Sequence, residues 1–278
     1  NDFKFSDKVS AGITLNPRFE TWGSPSNWAD FDKIDPITPI YKPADQLDGT
    51  ENEYSIYARS PSYVWNPIAS VKRYDDYTDL YNLNTNAYFQ YTPIKGLVIR
   101  TQGSLEIGDK IWSKFTPDFV IDAAHEKAEI NTIQRTNTTN NDWTWQTTAT
   151  YSKTFAEKHN ATFMVGTTME EYNGRDVWGY GEGVPNNSEA MRELNAATKN
   201  FDSGGNSWSS SLMSYISRLS YNYDSKYYFT GTFRRDGSSK FMAQNKFANF
   251  PSASASWRIS NEDFMSKDKS VVKYLRFR

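Results

Sequence analysis

The sequence predicts an all-β protein folded as an antiparallel up-and-down transmembrane β-barrel. Three observations predict it: apolar and polar residues alternate with period two, the alternating runs are about double the usual strand of five or six residues, and short connections alternate with long ones. Composition narrows the function classes further. The chain has 278 residues with 31 Lys+Arg against 33 Asp+Glu, a near-neutral balance unsuited to binding nucleic acid. There is no cysteine, and His125 and His159 are the only histidines, so thiol chemistry is excluded and a multi-His metal site nearly so. The mean hydropathy is strongly negative, yet aromatic residues make up 16% of the chain, too many for disorder. No run is apolar for the length of a membrane helix, and no n-region, h-region or initiator Met marks a signal peptide. A barrel passes both tests, because its lipid-facing residues alternate with polar ones.

The strands are predicted in order. Val9–Trp22 sets Val9, Ala11, Ile13, Leu15 and Phe19 against Ser10, Thr14, Asn16, Arg18 and Glu20. Asn82–Thr92 and Leu97–Ile107 follow the same rule, and Asp142–Phe155 opposes Trp143, Trp145, Ala149, Tyr151 and Phe155 to a ladder of Thr, Gln and Ser. Asn160–Tyr172, Leu212–Tyr223, Lys226–Arg235 and Phe250–Ser260 continue the series, and a ninth strand begins at Leu275–Arg278. The tight connections Tyr91–Leu97, Phe155–Asn160 and Tyr223–Lys226 carry Pro93, Gly96, Asp224 and Ser225 as turn formers. The long ones are Gly23–Tyr81, Gly108–Asn141, Asn173–Ser207 and Asp236–Asn249. After the last full strand, Ser260-Asn261-Glu262-Asp263 predicts a capping box on a short helix. Short turns are expected toward the periplasm and long loops outside.

Spacing supports the bilayer. Trp143 and Phe155 share a face and stand about 30 Å apart along the barrel axis, at roughly 3.3 Å per residue and a tilt near 40°. Tyr91, Phe155, Tyr221, Tyr223, Tyr227 and Trp257 would form a girdle near the short turns. Arg18, Glu20, Arg100, Glu106, Arg218 and Arg234 fall on the polar parity and are expected to face the lumen. The alternative is a soluble all-β carbohydrate-binding or adhesion module, which also alternates apolar and polar residues on half-buried strands.

A family resemblance adds to this. Arg218-Leu219-Ser220-Tyr221-Asn222-Tyr223 and Asp224-Ser225-Lys226-Tyr227-Tyr228 precede Phe233-Arg234-Arg235-Asp236-Gly237-Ser238-Ser239-Lys240-Phe241. Phe250-Pro251-Ser252 then leads to Ser256-Trp257-Arg258-Ile259-Ser260-Asn261-Glu262-Asp263-Phe264-Met265. This series resembles the barrel signature of the SusC/RagA group of TonB-dependent outer-membrane transporters. Weaker echoes lie at Asn66-Pro67-Ile68-Ala69, Lys95-Gly96-Leu97 and Lys153-Thr154-Phe155. The resemblance implies that residues 1–278 supply about eight or nine strands of a barrel of about 22 strands. The plug, signal peptide and C-terminal strands would lie outside this chain. It also implies TonB-driven import of oligosaccharides or peptides across the outer membrane of a Gram-negative bacterium of the Bacteroidota. The implied partners are a SusD-like surface lipoprotein, TonB and membrane lipid or lipopolysaccharide, with no cofactor.

Within that picture, Arg235, Asp236, Gly237, Ser238, Ser239, Phe241, Phe250, Pro251, Ser252, Trp257 and Arg258 are signature positions, mostly structural. Asp236-Gly237 reads first as a hairpin turn with positive φ at Gly237. Trp22, Trp28, Tyr63, Trp65, Trp112, Trp178, Tyr180 and Trp208 are expected on loops, where they would stack on cargo, with Tyr41, Tyr54 and Tyr57 beside them. Gly179-Tyr180-Gly181-Glu182-Gly183 lacks the ending of a phosphate loop and reads as a flexible extracellular loop. Asp30, Asp32 and Asp35 miss the EF-hand spacing. Glu170-Glu171 and Asp75-Asp76 are adjacent on strands or loops and cannot flank one bond from opposite faces. His125 is expected on a short helix across Asp122–Lys127 and His159 in a tight turn, neither with a nucleophile, so no catalytic residue is assigned.

Overall fold

The computed structural model describes residues 1–23, 75–122, 126–265 and 275–277, with scattered positions between 37 and 71. Eleven strands lie among them: β1 (Asp2–Lys4), β2 (Val9–Gly23), β3 (Asp75–Tyr91), β4 (Leu97–Thr116), β5 (Phe119–Asp122), β6 (Glu126–Ala128), β7 (Thr132–Phe155), β8 (His159–Glu182), β9 (Lys199–Tyr223), β10 (Tyr227–Ser238) and β11 (Phe247–Trp257). Nine form one open antiparallel sheet in the order β1-β2-β3-β4-β7-β8-β9-β10-β11. Strands β5 and β6 pair apart from it, within the β4–β7 connection. Beyond β11, Phe277 exchanges backbone hydrogen bonds with Trp257 at 2.9 and 2.8 Å, so the pairing continues there.

The registers keep one parity across the whole sheet. Val9 pairs with Tyr91, Leu97 with Tyr151, Phe155 with His159, and Tyr227 with both Tyr223 and Trp257. Odd residues therefore meet odd and even meet even from β1 to β11, except at the top of the β8–β9 pair, where the register shifts after Tyr180 and Glu182 meets Lys199. Directly opposed residues point to the same side of a sheet, so all odd side chains share one face and all even side chains the other.

Along the lower strands the odd face is apolar and, among the described residues, uncovered. Ile13, Leu83, Phe89, Leu105, Val165, Phe229 and Phe233 are all exposed, Phe163 at 49% and Leu219 at 43%. The buried hydrophobic residues among those described are Phe115, Ile133, Val184 and Ala197. A soluble sandwich would bury its apolar faces against a second layer. Here lipid is the solvent that the odd face suits.

Strand bottoms match the sequence expectation and strand tops do not. β2 ends within one residue of its predicted range, while β3 begins at Asp75, β4 runs to Thr116, β7 begins at Thr132, β8 runs to Glu182 and β9 begins at Lys199. With 24 residues, β7 and β8 reach about 60 Å along the axis at a 40° tilt, more than twice the hydrocarbon band. The added length in β7 reads Thr136-Asn137-Thr138-Thr139-Asn140-Asn141. Neither face carries an apolar run there, so alternation stops while the backbone ladder continues.

The short turns obey their backbone chemistry. Gly96 has φ of 91°, and Asp224 and Ser225 have φ of 50° and 54°, the paired positive values of a two-residue hairpin loop that fits the strand twist. Ala156 and Glu157 also take positive φ. Asp122 closes β5 and Glu126 opens β6, so the helix expected across Asp122–Lys127 does not form over these residues, while His125 lies outside the described residues.

Phe163 lies about 10 Å above the short-turn end of β8, inside the apolar band. Phe163→Arg is expected to destabilise the folded barrel by about 2 kcal/mol, whereas Thr162→Arg on the opposite face is tolerated. Urea unfolding of the full receptor in lipid vesicles, compared between the two variants, checks this.

Candidate functional site

The even face is mainly polar, with apolar residues such as Met164, Ile216 and Phe250 scattered on it. Arg18 pairs with Glu20 at 2.6 Å, and Glu106 accepts a hydrogen bond from the Asn82 amide at 2.9 Å. The Arg100 guanidinium lies 3.9 Å from the Tyr88 ring centre and donates to Gln102, whose amide donates to Gln146. Arg218 donates to Thr232 at 3.4 Å, and Arg234 binds Asp236 at 2.6 Å and Ser214 at 3.2 Å. All six charges named from the sequence thus lie on one face, each held by a neighbour on the same or an adjacent strand.

The aromatic candidates move from loops to strands. Trp22 is on β2, Trp112 on β4, Trp178 and Tyr180 on β8, and Trp208 on β9, all on the even face. The Trp112 indole donates to Asp76 at 2.7 Å. Tyr41 and Tyr54 form an isolated bridge with rings 5.5 Å apart. Trp28, Asp30, Asp32, Asp35, Tyr57, Tyr63 and Trp65 lie outside the described residues.

The signature positions also settle differently. Asp236 and Gly237 sit inside β10, paired with Ser214 and Met213 on one side and Ala248 and Phe247 on the other. Gly237 does not have positive φ; a Cβ there would stand 2.4 Å from the Phe247 ring, so the glycine makes room for an aromatic neighbour. The turn itself comes later, between β10 and β11, with a 3-10 helix at Ala243–Asn245. Ser239 ties that turn back to β9, its N–H donating to the Ser211 carbonyl and its hydroxyl accepting from the Ser211 N–H. Arg235 lies over the Phe247 ring at 4.9 Å, Phe241 is exposed, and Phe250, Pro251 and Ser252 are on β11, opposite Arg234, Phe233 and Thr232.

No family model matches the chain. It is 27% identical over 277 residues to TonB-dependent receptor P26 of Formosa agariphila, covering 97% of the chain and 27% of that receptor. Over 67 residues it is 43% identical to TonB-dependent receptor SusC of Bacteroides thetaiotaomicron, covering 24% of the chain and 7% of SusC. The fold superposes on the RagAB peptide importer in its closed-closed state with a TM-score of 0.77 at 18% identity, covering 94% of the chain and 29% of that chain. The chain is similar in sequence to TonB-dependent receptors and shares its fold with part of the RagAB barrel. It spans about a quarter of the length of the longer relatives it matches.

In this barrel segment the short-turn end carries an aromatic ladder on the odd face. His159 opens β8; its ring stacks on Phe155 at 5.1 Å and its Nδ1 lies 2.7 Å from the Tyr221 hydroxyl. The series continues through Tyr223, Tyr227, Trp257 and Phe264 with ring centres 4.8 to 6.4 Å apart. Such rings suit the headgroup level, where an apolar body meets water at its tip.

Just below, Glu262 gathers three donors. The Tyr227 hydroxyl reaches it at 2.5 Å, the Trp257 indole at 2.8 Å and the Lys226 ammonium at 3.1 Å. The capping box expected of Ser260 does not form: the 3-10 helix Ile259–Asn261 has no side-chain cap, and the Ser260 hydroxyl is buried without a protein partner. Glu262 is committed to the strand ends instead of the helix. The Tyr227 hydroxyl, then the Trp257 indole and Lys226, hold its carboxyl below the usual range, and Glu262 in turn raises Lys226.

At the opposite end, segment 183–198 folds back over the odd face. Val184 and Ala197 bury against Phe115 and Ile133. Gly179 and Gly181 leave room for Leu194 and Ala197, where a Cβ would stand 2.9 and 2.5 Å from those side chains. Gly179–Glu182 is therefore strand, and only Gly183, with φ of 68°, leaves it. Arg192 spans from Asp75 at 2.6 Å to the Phe115 ring, and Arg135 pairs with Glu193, beside a cavity of about 310 Å³. The sequence signal for this contact was two glycines at alternate positions of one strand.

Acid–base chemistry finds no assembled site. Glu170 accepts from Tyr172 on the even face, while Glu171 accepts from Trp143 and Asn173 on the odd. Among the described residues no group of three or more His, Asp or Glu side chains is placed to hold a metal ion.

A carboxyl whose folded value is depressed contributes stability above its unfolded value, near 4.5 for glutamate, and loses it as pH falls through the folded value. Glu262→Gln is therefore expected to lower the urea midpoint of the full receptor at pH 7, with the gap to wild type closing as pH drops below 4.5. A gap independent of pH would contradict the assignment.

Proposed function

We propose that this segment is part of the wall of an outer-membrane transporter, with its odd face in lipid and its even face along the cargo path. The observation that carries the reading is the parity of the sheet, held on every strand pair up to the shift at Glu182 on the outermost end of β8, which gives nine strands one mainly apolar side and one mainly polar side. An even face lined by partnered charges, amides and hydroxyls is chemically a water-filled lumen, and the uncovered odd face disfavours the soluble carbohydrate-binding module. Similarity to SusC and to the RagAB importer supports import of oligosaccharides or peptides, driven by TonB and assisted by a SusD-like lipoprotein. Residues 1–278 are then one stretch of a single barrel domain.

In this reading the short turns face the periplasm and the long connections face outward. The chain contributes no cysteine, so a cysteine introduced here is the only one within residues 1–278. In intact cells carrying the full receptor, Asn187→Cys is expected to react with a membrane-impermeant maleimide, and Glu157→Cys only after the envelope is broken. The reverse pattern would invert the topology. Uptake of cargo by the full receptor is expected to stop when TonB is deleted; uptake that persists without TonB would overturn the proposed energy source.

A further inference from the structure

One cross-strand row on the even face is unlike the rest. Trp22 pairs with Thr78, Thr78 with Trp112, Trp112 with Thr136, Thr136 with Trp178, and Trp178 with Gly204. Three tryptophans thus occupy alternate strands of one row, separated by threonines. Adjacent strands are about 4.8 Å apart, so neighbouring tryptophans stand about 10 Å apart along it. The row lies seven residues above Trp143 on β7, about 18 Å beyond the upper edge of the apolar band.

Two of the rings on this face, those of Trp178 and Trp208, are laid against the sheet. A Cβ built on Gly204 would stand 2.8 Å from the Trp178 indole, and one on Gly174 would stand 2.2 Å from the Trp208 indole. Each ring therefore covers the place of a missing side chain on the neighbouring strand, and turns its other side to the lumen. Trp22 is 40% exposed and Trp208 42%. The row above contains Asp76, Lys114, Gln134, Tyr180 and Asp202, and the row below contains Glu20, Leu80, Lys110, Thr138, Asp176 and Asn206, polar at all but one position.

We propose that Trp22, Trp112 and Trp178, with Trp208 two rows below them on the same face, form a stacking track for a neutral oligosaccharide at the outer mouth of the lumen. The inference rests on the transporter reading and names the cargo class. Flat aromatic surfaces flanked on both sides by hydrogen-bonding rows match the two kinds of surface a pyranose presents, apolar C–H faces and a rim of hydroxyls. The flanking charges are of both signs, which suits an uncharged ligand over an anion. Peptide main chain finds no equivalent between β3 and β8: the N–H and C=O groups of those strands are taken by the ladder on both sides, so an added strand has no edge to pair with there.

The test uses the full receptor purified in detergent. The probes are neutral linear hexasaccharides (α-1,4-glucan, β-1,4-glucan, β-1,4-mannan, β-1,4-xylan) and hexapeptides of mixed sequence, with affinity measured by titration calorimetry. At least one hexasaccharide is expected to bind. The triple variant Trp22→Ala, Trp112→Ala, Trp178→Ala should bind it about tenfold more weakly or worse, and the corresponding triple Phe variant within about threefold of wild type. Should the alanine variant not assemble, Gly204→Val displaces the Trp178 ring and is expected to weaken binding by at least about threefold. Unchanged affinity in an assembled variant, binding of hexapeptides alone, or binding of no probe overturns the track. Receptor-dependent uptake in cells separates the two readings: a wild type that imports cargo while the alanine variant imports it equally well removes the track and keeps the transporter, whereas a wild type that imports nothing removes the transporter.

Discussion

The structure depends on an apolar face with no protein to cover it. Side chains such as Ile13, Phe163, Leu219 and Phe229 stand on one side of the sheet, and burial against hydrocarbon is the favourable term open to them. Hydrocarbon in turn offers no hydrogen bonds, so each backbone N–H and C=O at that depth must be paired within the sheet. This explains long ladders without a bulge in the band. It also explains why parity is conserved from strand to strand: a slip of one residue would carry Arg100, Glu106 or Arg218 into lipid.

Outside the band the constraint relaxes, and the two ends use that freedom differently. At the short-turn end, rings from His159 to Phe264 gather at the headgroup level, and the Glu262 carboxylate ties β10, β11 and the following turn through Tyr227, Trp257 and Lys226. At the other end neither face carries an apolar run, and the strands continue because pairing persists without alternation. There the odd face seats the fold-back segment around Ile133 and Arg192, and the even face carries the tryptophan row.

The legible parts of the fold were those under the lipid constraint. The starts of β2 and β4, the ends of β7 and β9, and the positive-φ positions Gly96, Asp224 and Ser225 follow from local pattern and turn chemistry. The upper halves of β3, β4, β7, β8 and β9 did not, because Thr- and Asn-rich segments look like loops when neither face is apolar. For the same reason Trp112, Trp178 and Trp208 read as loop residues. Asp236-Gly237 reads as a turn although the glycine serves the Phe247 ring. Ser260 reads as a cap although Glu262 has stronger partners in two strands.

Alternation by itself determined that this chain makes a two-faced antiparallel wall and which charges share the polar side, because side-chain direction along a strand is fixed by counting. It could not determine which residues of different strands lie level with one another. Only the tertiary register decided that, bringing Trp22, Trp112 and Trp178 into one row although 90 and 66 positions separate them along the chain. Lateral neighbours arise from pairing between distant segments, and pairing is set by the whole sheet, not by any one stretch of sequence.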